Sequence, residues 1–456
     1  MALRDVEVRC APRRNRDPVN TGTGKARIEA LDTIRGVAVM GILLLNIVSF
    51  AMPQYAYVDP TFYGGDQGTN WWAWAVPFVL ADGKMRGLFT MLFGASIIIV
   101  AERALASGKN PLAVHYARMA SLLLIGLIHG YLIWSGDILA LYALCGALAF
   151  AAWRLRMSSQ LAIAAILMLV QLSIGVENYL SARHFEARAT AADAPAELQK
   201  KWLAYRHERE RLRAAIPEEI KAYQGNWRTV QAARASFTWN AQRIILPASI
   251  PDTIALMLIG MALYRSGFFS GRWSHRQYRL VLLFGYGFCL PLYVPIVTWL
   301  DASRFDPMVL ALVETMHLIL LRPMIAGAYG ATVVLLMQEN ACRTFWRRIS
   351  AAGRVAFTNY VGTSVICTLL FYGYGAGWFG LLERWQLYPI VLAIWLAMLA
   401  WSKPWLDRFA HGPLEWLWRS LAHLELLPFR RRHSPVPRDN ANETQMYLRS
   451  GRTNDK

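Results

Sequence analysis

Long apolar runs bounded by polar turns dominate the chain. They cover Thr33–Met52, Trp71–Val100 with a polar interruption at 82–86, Ala113–Trp134, Ile138–Trp153, Leu161–Val176, Ile244–Tyr264, Leu280–Leu300, Met308–Met337, Val355–Tyr372 and Leu387–Trp401. Crossing a hydrocarbon core of about 30 Å takes roughly 20 mostly apolar residues as a helix, and only the fourth, fifth and tenth runs are short of that. The pattern predicts an all-α fold, a polytopic integral membrane helical bundle of about ten transmembrane helices. Between the fifth and sixth runs the composition changes. Segment 181–243 mixes Ala, Arg, Glu and Gln with Trp202, Tyr205, Leu212, Tyr223 and Trp227, which predicts a helical outer insertion of short amphipathic helices on the membrane surface or capping the bundle. Pro413–Leu421 places Trp, Leu and Arg at helical spacing, as an interfacial helix would. The chain divides into a basic N-terminal segment (1–27), spans one to five (28–180), the insertion (181–243), spans six to ten with the interfacial helix (244–422), and a polar tail (423–456) expected to be disordered.

Composition excludes a soluble enzyme. Hydrophobic residues make up 55% of the 456 before the 32 glycines are counted, against roughly 45–50% with glycine in soluble domains. The formal net charge of +18 would ordinarily raise the question of nucleic acid, but its distribution answers it otherwise. With the N-terminus inside, the inside segments hold seven basic residues before the first span, three in 102–118, two in 153–157, four in 265–279, four in 339–354 and ten in 403–456. The short outside segments 53–69, 135–137, 301–308 and 374–388 hold none, none, one and one, and the long insertion holds twelve. Such alternation is the positive-inside pattern, so both termini are expected in the cytoplasm, the partner is the lipid bilayer, and no nucleic-acid partner is implied. Alkaline phosphatase fused after Gln67 is expected to be active and after Arg348 inactive; the reverse pattern would overturn this topology. Residues 1–27 lack a signal-peptide pattern, so Thr33–Met52 is expected to act as an uncleaved anchor. Five cysteines without a CxxC pair indicate neither a disulfide framework nor a zinc site.

Only Arg35, Lys84, Arg86 and Arg322 remain in or at the rim of spans. A charge near the bilayer centre costs at least about 2.5–3.5 kcal/mol, so the polar groups within spans are the candidate functional residues. Asp32 and Arg35 lie one helical turn apart at the inner rim. They form either a helix start with a snorkelling arginine or a cytoplasmic holder for an anionic group such as the phosphates of an acyl donor. Asp82-Gly83-Lys84-Met85-Arg86-Gly87 is a charged break, either a corner between an interfacial helix and the second span or the lining of a cavity. His129 and Asp137 are placed to meet across the hairpin between spans three and four, either as a satisfied helix-packing histidine or as an imidazole base oriented by Asp137. Glu314 and His317 are spaced for one helix face, with Arg322 deeper; they form an internal pair or a proton relay. Asp252 belongs to the same outer region. No metal site is expected.

Several stretches carry a resemblance: Arg27–Asn46, Lys84–Gly94, Gly136–Tyr142, Gly353–Tyr360 (with Asn359) and Gly412–Arg419. Together they resemble the YeiB-like family of bacterial inner-membrane proteins, whose signature is domain of unknown function 418. The first span is also similar to those of the transmembrane acyltransferases, the acyltransferase-three and heparan-glucosaminide acetyltransferase groups, through Leu31, Asp32, Arg35 and Gly36. The resemblance implies a bacterial inner-membrane location, acyl-CoA as a donor rather than a permanently bound cofactor, and an envelope glycan or lipid as acceptor. Asn46 stands where the acyltransferase-three group has histidine, and 53–69 contains no histidine. The base then falls to His129 with Asp137, or to His317; Asn46 joins them as a catalytic candidate, and Asp32 and Arg35 face the donor. The other expectation, from the residues alone, is a proton-coupled transporter of a small polar solute using Glu314, His317, Arg322 and Asp252. A non-catalytic scaffold is the third.

Overall fold

Backbone that has no water to bond must satisfy itself within its own segment. The computed structural model describes residues 29–339 and 342–430, and these are helical apart from turns and one isolated β-bridge between Phe409 and Arg430. Segment 1–27 and the tail beyond 430 lie outside the described residues.

Helix α1 (Glu29–Ala51) leads through a 3-10 turn to α2 (Gly68–Leu80), and α3 (Lys84–Ala106) follows after a break at 81–83. Next come α4 (Pro111–Leu132), α5 (Leu139–Ala149), α6 (Met157–Ala189), α7 (Ala196–Ala214), α8 (Ile216–Tyr223) and α9 (Trp227–Ser266). The remainder is α10 (His275–Leu282), α11 (Tyr293–Ala302), α12 (Pro307–Met316), α13 (Arg322–Gln338), α14 (Arg343–Arg354), α15 (Ala356–Phe371), α16 (Leu387–Arg408) and α17 (Pro413–His423). Eight of the helical units among the described residues are long and apolar enough to cross a membrane, and the α14–α15 pair, bent by 78°, is a broken span or a re-entrant loop that brings the number to nine if counted as one span. The run expected at Ile138–Trp153 is a shorter apolar helix, Leu139–Ala152. Only 11% of the most apolar window of α6 is buried. A helix with so much exposed Leu and Ile needs lipid around it, and the protein is a multi-pass membrane bundle.

The insertion is built differently from a set of separate surface helices. α6 runs through 181–189 and α9 begins at Trp227, so both boundaries expected at 181 and 243 fall inside continuous helices. Only α7 and α8 form the cap. Arg209 bonds Asp59 at 2.6 Å, Glu219 accepts from the Gln54 backbone N–H at 2.9 Å, and Tyr223 stacks on Phe379 at 4.7 Å. These contacts close one end of the bundle, the lid end. The other, basic end carries the start of α1, the end of α3, the start of α4 and α17. There the tail expected from 423 stays ordered to Arg430, with Phe429 packed between Phe409 and Trp416.

Two helix crossings fix the core, each through a reciprocal pair of glycines. A Cβ on Gly94 of α3 would lie 2.0 Å from the Met257 carbonyl of α9, and one on Gly260 of α9 would lie 1.9 Å from the Met91 carbonyl of α3. Likewise a Cβ on Gly36 would meet the Ile349 carbonyl at 2.2 Å and one on Gly353 the Asp32 carbonyl at 1.8 Å, joining α1 to α14. Small residues permit such backbone approach, and packing rather than the hydrophobic effect holds helices together in lipid. Gly94→Ala and Gly260→Ala are each expected to cost about 1–3 kcal/mol by overpacking. Both should lower the thermal midpoint in detergent, whereas Gly362→Ala, with open space around it, should not. Equal midpoints for all three would contradict this packing.

Candidate functional site

At the basic end the α1–α14 crossing forms one wall of a cavity of about 600 Å³. Its lining runs along α1 from Leu31 to Ile42, roughly 17 Å at 1.5 Å per residue and so about half the depth of a bilayer core. Five arginines face it, Arg35, Arg103, Arg118, Arg354 and Arg419, against the carboxylates of Asp32, Glu102 and Glu415. Arg35 bonds Asp32 at 3.1 Å and reaches Ser96 at 3.4 Å. Arg118 lies over the Trp418 ring at 4.2 Å, and Trp418 Nε1 donates to the Arg118 carbonyl at 2.9 Å. Glu415 accepts from the Phe357 and Thr358 backbone N–H groups at 2.8 and 3.2 Å, and from the Thr358 hydroxyl at 2.5 Å. It therefore caps α15 at the bend and ties α17 to the cavity wall. Burial pushes its carboxyl up, and the bonds from Thr358 and Phe357 oppose the rise.

The inner end of the cavity is walled by Ile138, Leu139, Tyr142 and Tyr360. Beyond Tyr360 lies the expected hairpin pair. His129 Nδ1 is 2.9 Å from Asp137 Oδ1, and the other Asp137 oxygen accepts from the Ala140 N–H at 2.8 Å in the first turn of α5. Both side chains are almost fully buried. His129 Nε2 has no hydrogen-bond partner. An Nδ1–H held on a carboxylate leaves Nε2 as the free acceptor of a neutral imidazole. The Tyr360 ring centre lies 5.3 Å from that of His129, and its hydroxyl donates to the Gly136 carbonyl at 3.3 Å. Asn46 lies further along α1 at a cavity of about 10 Å³ shared with Tyr360, Thr363 and Ser364, near the smallest volume that holds one water. The side chain of Asn359 is occupied elsewhere. It donates to Ala352 O at 3.1 Å and Ser402 at 3.3 Å and accepts from Trp401 at 2.9 Å, joining α14, α15 and α16.

The charged break and the polar face of the α12–α13 segment, separate in sequence, come together as a second buried centre. Asp252 of α9 receives Arg86 on one oxygen at 3.3 Å and Arg322 on the other. Lys84 Nζ donates to Phe78 O at 2.7 Å and sits 3.9 Å over the Tyr293 ring. The expected Glu314–His317 pair is not bonded among the described residues. Residues His317–Leu321 form a π-helical turn, which shifts the register, and His317 Nδ1 bonds the Tyr293 hydroxyl. Its Nε2 lies 3.8 Å from Asp82 Oδ2. The break at Gly83 makes room for this, since a Cβ there would meet Arg322 Cδ at 3.0 Å and His317 Nε2 at 3.2 Å. Among the described residues no group of three or more His, Cys, Asp or Glu is placed to hold a metal ion.

Arg103, Arg118, Arg419, Tyr142 and Tyr360 have no place among the sequence candidates. The three arginines read as ordinary inside-loop charges, and only the return of α17 onto α4 turns them into a cavity wall. Arg234 was hidden in the insertion. It is fully buried and bonds Tyr131 O at 3.2 Å and Ile133 O at 2.8 Å, holding the end of α4 that carries His129.

A multi-pass helical bundle with an arginine-lined cavity at one end and a buried His–Asp pair beyond its inner wall defines the class of protein. Residues 263–425 match the family described as "Protein of unknown function (DUF418)". The chain is 32% identical over 400 residues to "Uncharacterized protein YeiB" of Escherichia coli (strain K12), covering 86% of this chain and 95% of that one. It is 29% identical over 419 residues to "Uncharacterized protein YxaH" of Bacillus subtilis (strain 168), covering 89% and 96%. The chain belongs to the YeiB-like DUF418 family. No solved structure matches it.

Proposed function

We propose that the protein is an inner-membrane acyltransferase that moves an acyl group from a cytosolic acyl-CoA to a hydroxyl of an envelope glycan or lipid. The basic end then faces the cytoplasm and the lid end the outside. The observation that carries this reading is the arginine-lined cavity ending at Tyr360, one ring away from a buried His129–Asp137 pair with a free Nε2. Arg35 and the neighbouring guanidiniums pair with the donor's phosphates, for which planar charge-assisted donors are suited, and the thioester extends between apolar walls toward Tyr360. His129 Nε2 accepts the acceptor's hydroxyl proton as the oxygen attacks the thioester carbonyl. The C–S bond breaks, the C–O bond forms, and the proton returns to the departing sulfur, so an ester and a free thiol result with no net proton change. Asp137 stabilises the imidazolium between the two transfers. Titration of purified protein with acetyl-CoA tests the donor site. Losing a charge-assisted hydrogen bond costs about 1.5–3 kcal/mol, so Arg35→Ala should weaken binding about 10- to 100-fold. Unchanged affinity, or no saturable binding by wild type, would remove the reading.

A further inference from the structure

The second buried centre is not used by that reaction, and its charges balance as a whole but not locally. Three cations, Lys84, Arg86 and Arg322, accompany three carboxylates, Asp82, Asp252 and Glu314. Asp252 takes both guanidiniums, one on each oxygen. The half nearer the lid end holds Lys84 with Asp82 and Glu314, whose charges both act on the Lys84 ammonium, while Arg86 and Arg322, bonded to Asp252, act on this half from the other. Between these groups stands His317, fully buried, with Nδ1 engaged by Tyr293 and Nε2 without a hydrogen-bond partner, 3.8 Å from Asp82 Oδ2. Tyr57 closes the other side by donating to Asp82 Oδ1 at 3.3 Å. A carboxylate in a low-dielectric interior is costly, and two carboxylates in one site disfavour each other's ionisation when the nearest guanidiniums are already bonded to a third.

We propose that Asp82, Glu314 and His317 form a proton-binding site that takes up and releases one proton from the lid side, at a place separate from the arginine-lined cavity. Binding adds H⁺ to an oxygen of Asp82 or Glu314, with His317 Nε2 beside Asp82 as a route for its exchange, and offsets the buried negative charge; no bond between heavy atoms changes. The Gly83 break and the π turn are what bring Asp82 and His317 together, and irregular backbone of this kind within a span is tolerated where it lines a polar interior. Tyr57, Tyr293, Lys84, Arg86, Arg322 and Asp252 are the polar groups that face the site from the surrounding elements, and the two arginines among them keep a fixed charge.

Dicyclohexylcarbodiimide, an apolar reagent that modifies protonated carboxyls buried in membranes, tests this on the intact wild-type protein in its membrane. Label mapped by mass spectrometry should fall on Asp82 or Glu314, increase as pH is lowered, and be absent from Asp252, whose two oxygens are both occupied. The pairing of Glu314→Gln with Asp82→Asn should abolish it. Label absent from both residues, insensitive to pH, or equally present on Asp252 would overturn the site. So would label that is suppressed by sodium ions as strongly as by alkaline pH, which would assign the site to a metal cation. The outcome is independent of acetyl-CoA binding, so failure here leaves the acyltransferase reading untouched and the reverse also holds.

Discussion

His129→Ala is expected to remove acyl transfer while leaving acetyl-CoA binding at the basic end unchanged. General-base catalysis by a positioned imidazole contributes about 100- to 10,000-fold in rate; His115, which also lines the cavity, stands at the start of α4 toward the basic end with Nε2 on the Gly146 carbonyl at 3.0 Å. The donor contacts are on other helices or, for Arg118, about three turns away along α4, so KM for the donor should hold while kcat falls. Asp137→Asn should fall nearly as far. An amide in place of the carboxylate can present its N–H to Nδ1, turn the tautomer and remove the acceptor at Nε2, and it cannot stabilise the imidazolium. Rates in His129→Ala within a few-fold of wild type would move the chemistry elsewhere in the bundle.

Asp252→Ala carries the largest expected cost in stability. Both carboxylate oxygens are engaged by guanidiniums, and Arg322 is fully buried with Nε and Nη1 already lacking partners. Removing one member of a buried ion pair leaves an uncompensated charge and costs about 3–5 kcal/mol, a large share of the roughly 5–15 kcal/mol that holds a typical protein together. The variant should therefore melt far below wild type or fail to accumulate. Joint replacement by Asp252→Leu, Arg86→Met and Arg322→Met should recover much of the loss, because apolar groups of similar volume carry no desolvation penalty. An Asp252→Ala protein with an unchanged midpoint would mean that the three charges are not buried together.

The helical class was legible because lipid imposes long apolar runs, and the meeting of His129 with Asp137 because a hairpin of six connecting residues leaves little choice of partner. The motif glycines Gly36 and Gly353 could be read as signatures but not as two sides of one helix crossing, since nothing local to either reveals the other. The second centre was read as two clusters for the same reason: Asp82 and His317 are 235 positions apart in the chain, and Gly83 gives no sign of which helix it admits. The Glu314–His317 face failed because the spacing argument assumes 3.6 residues per turn and the π turn breaks it. Arg103, Arg118 and Arg419 were hidden by the topology count itself, in which a basic residue in an inside loop needs no further explanation.

With the proposed orientation, everted inner-membrane vesicles place the basic end in the medium. Labelled acetyl-CoA supplied there, with and without the protein, measures transfer across the bundle most directly. The account predicts label appearing in lumenal glycan or lipid with wild-type protein, with Arg35→Ala losing it by weaker donor binding and His129→Ala by slower chemistry. Label no higher than in vesicles lacking the protein, or label with both variants as high as with wild type, would contradict it.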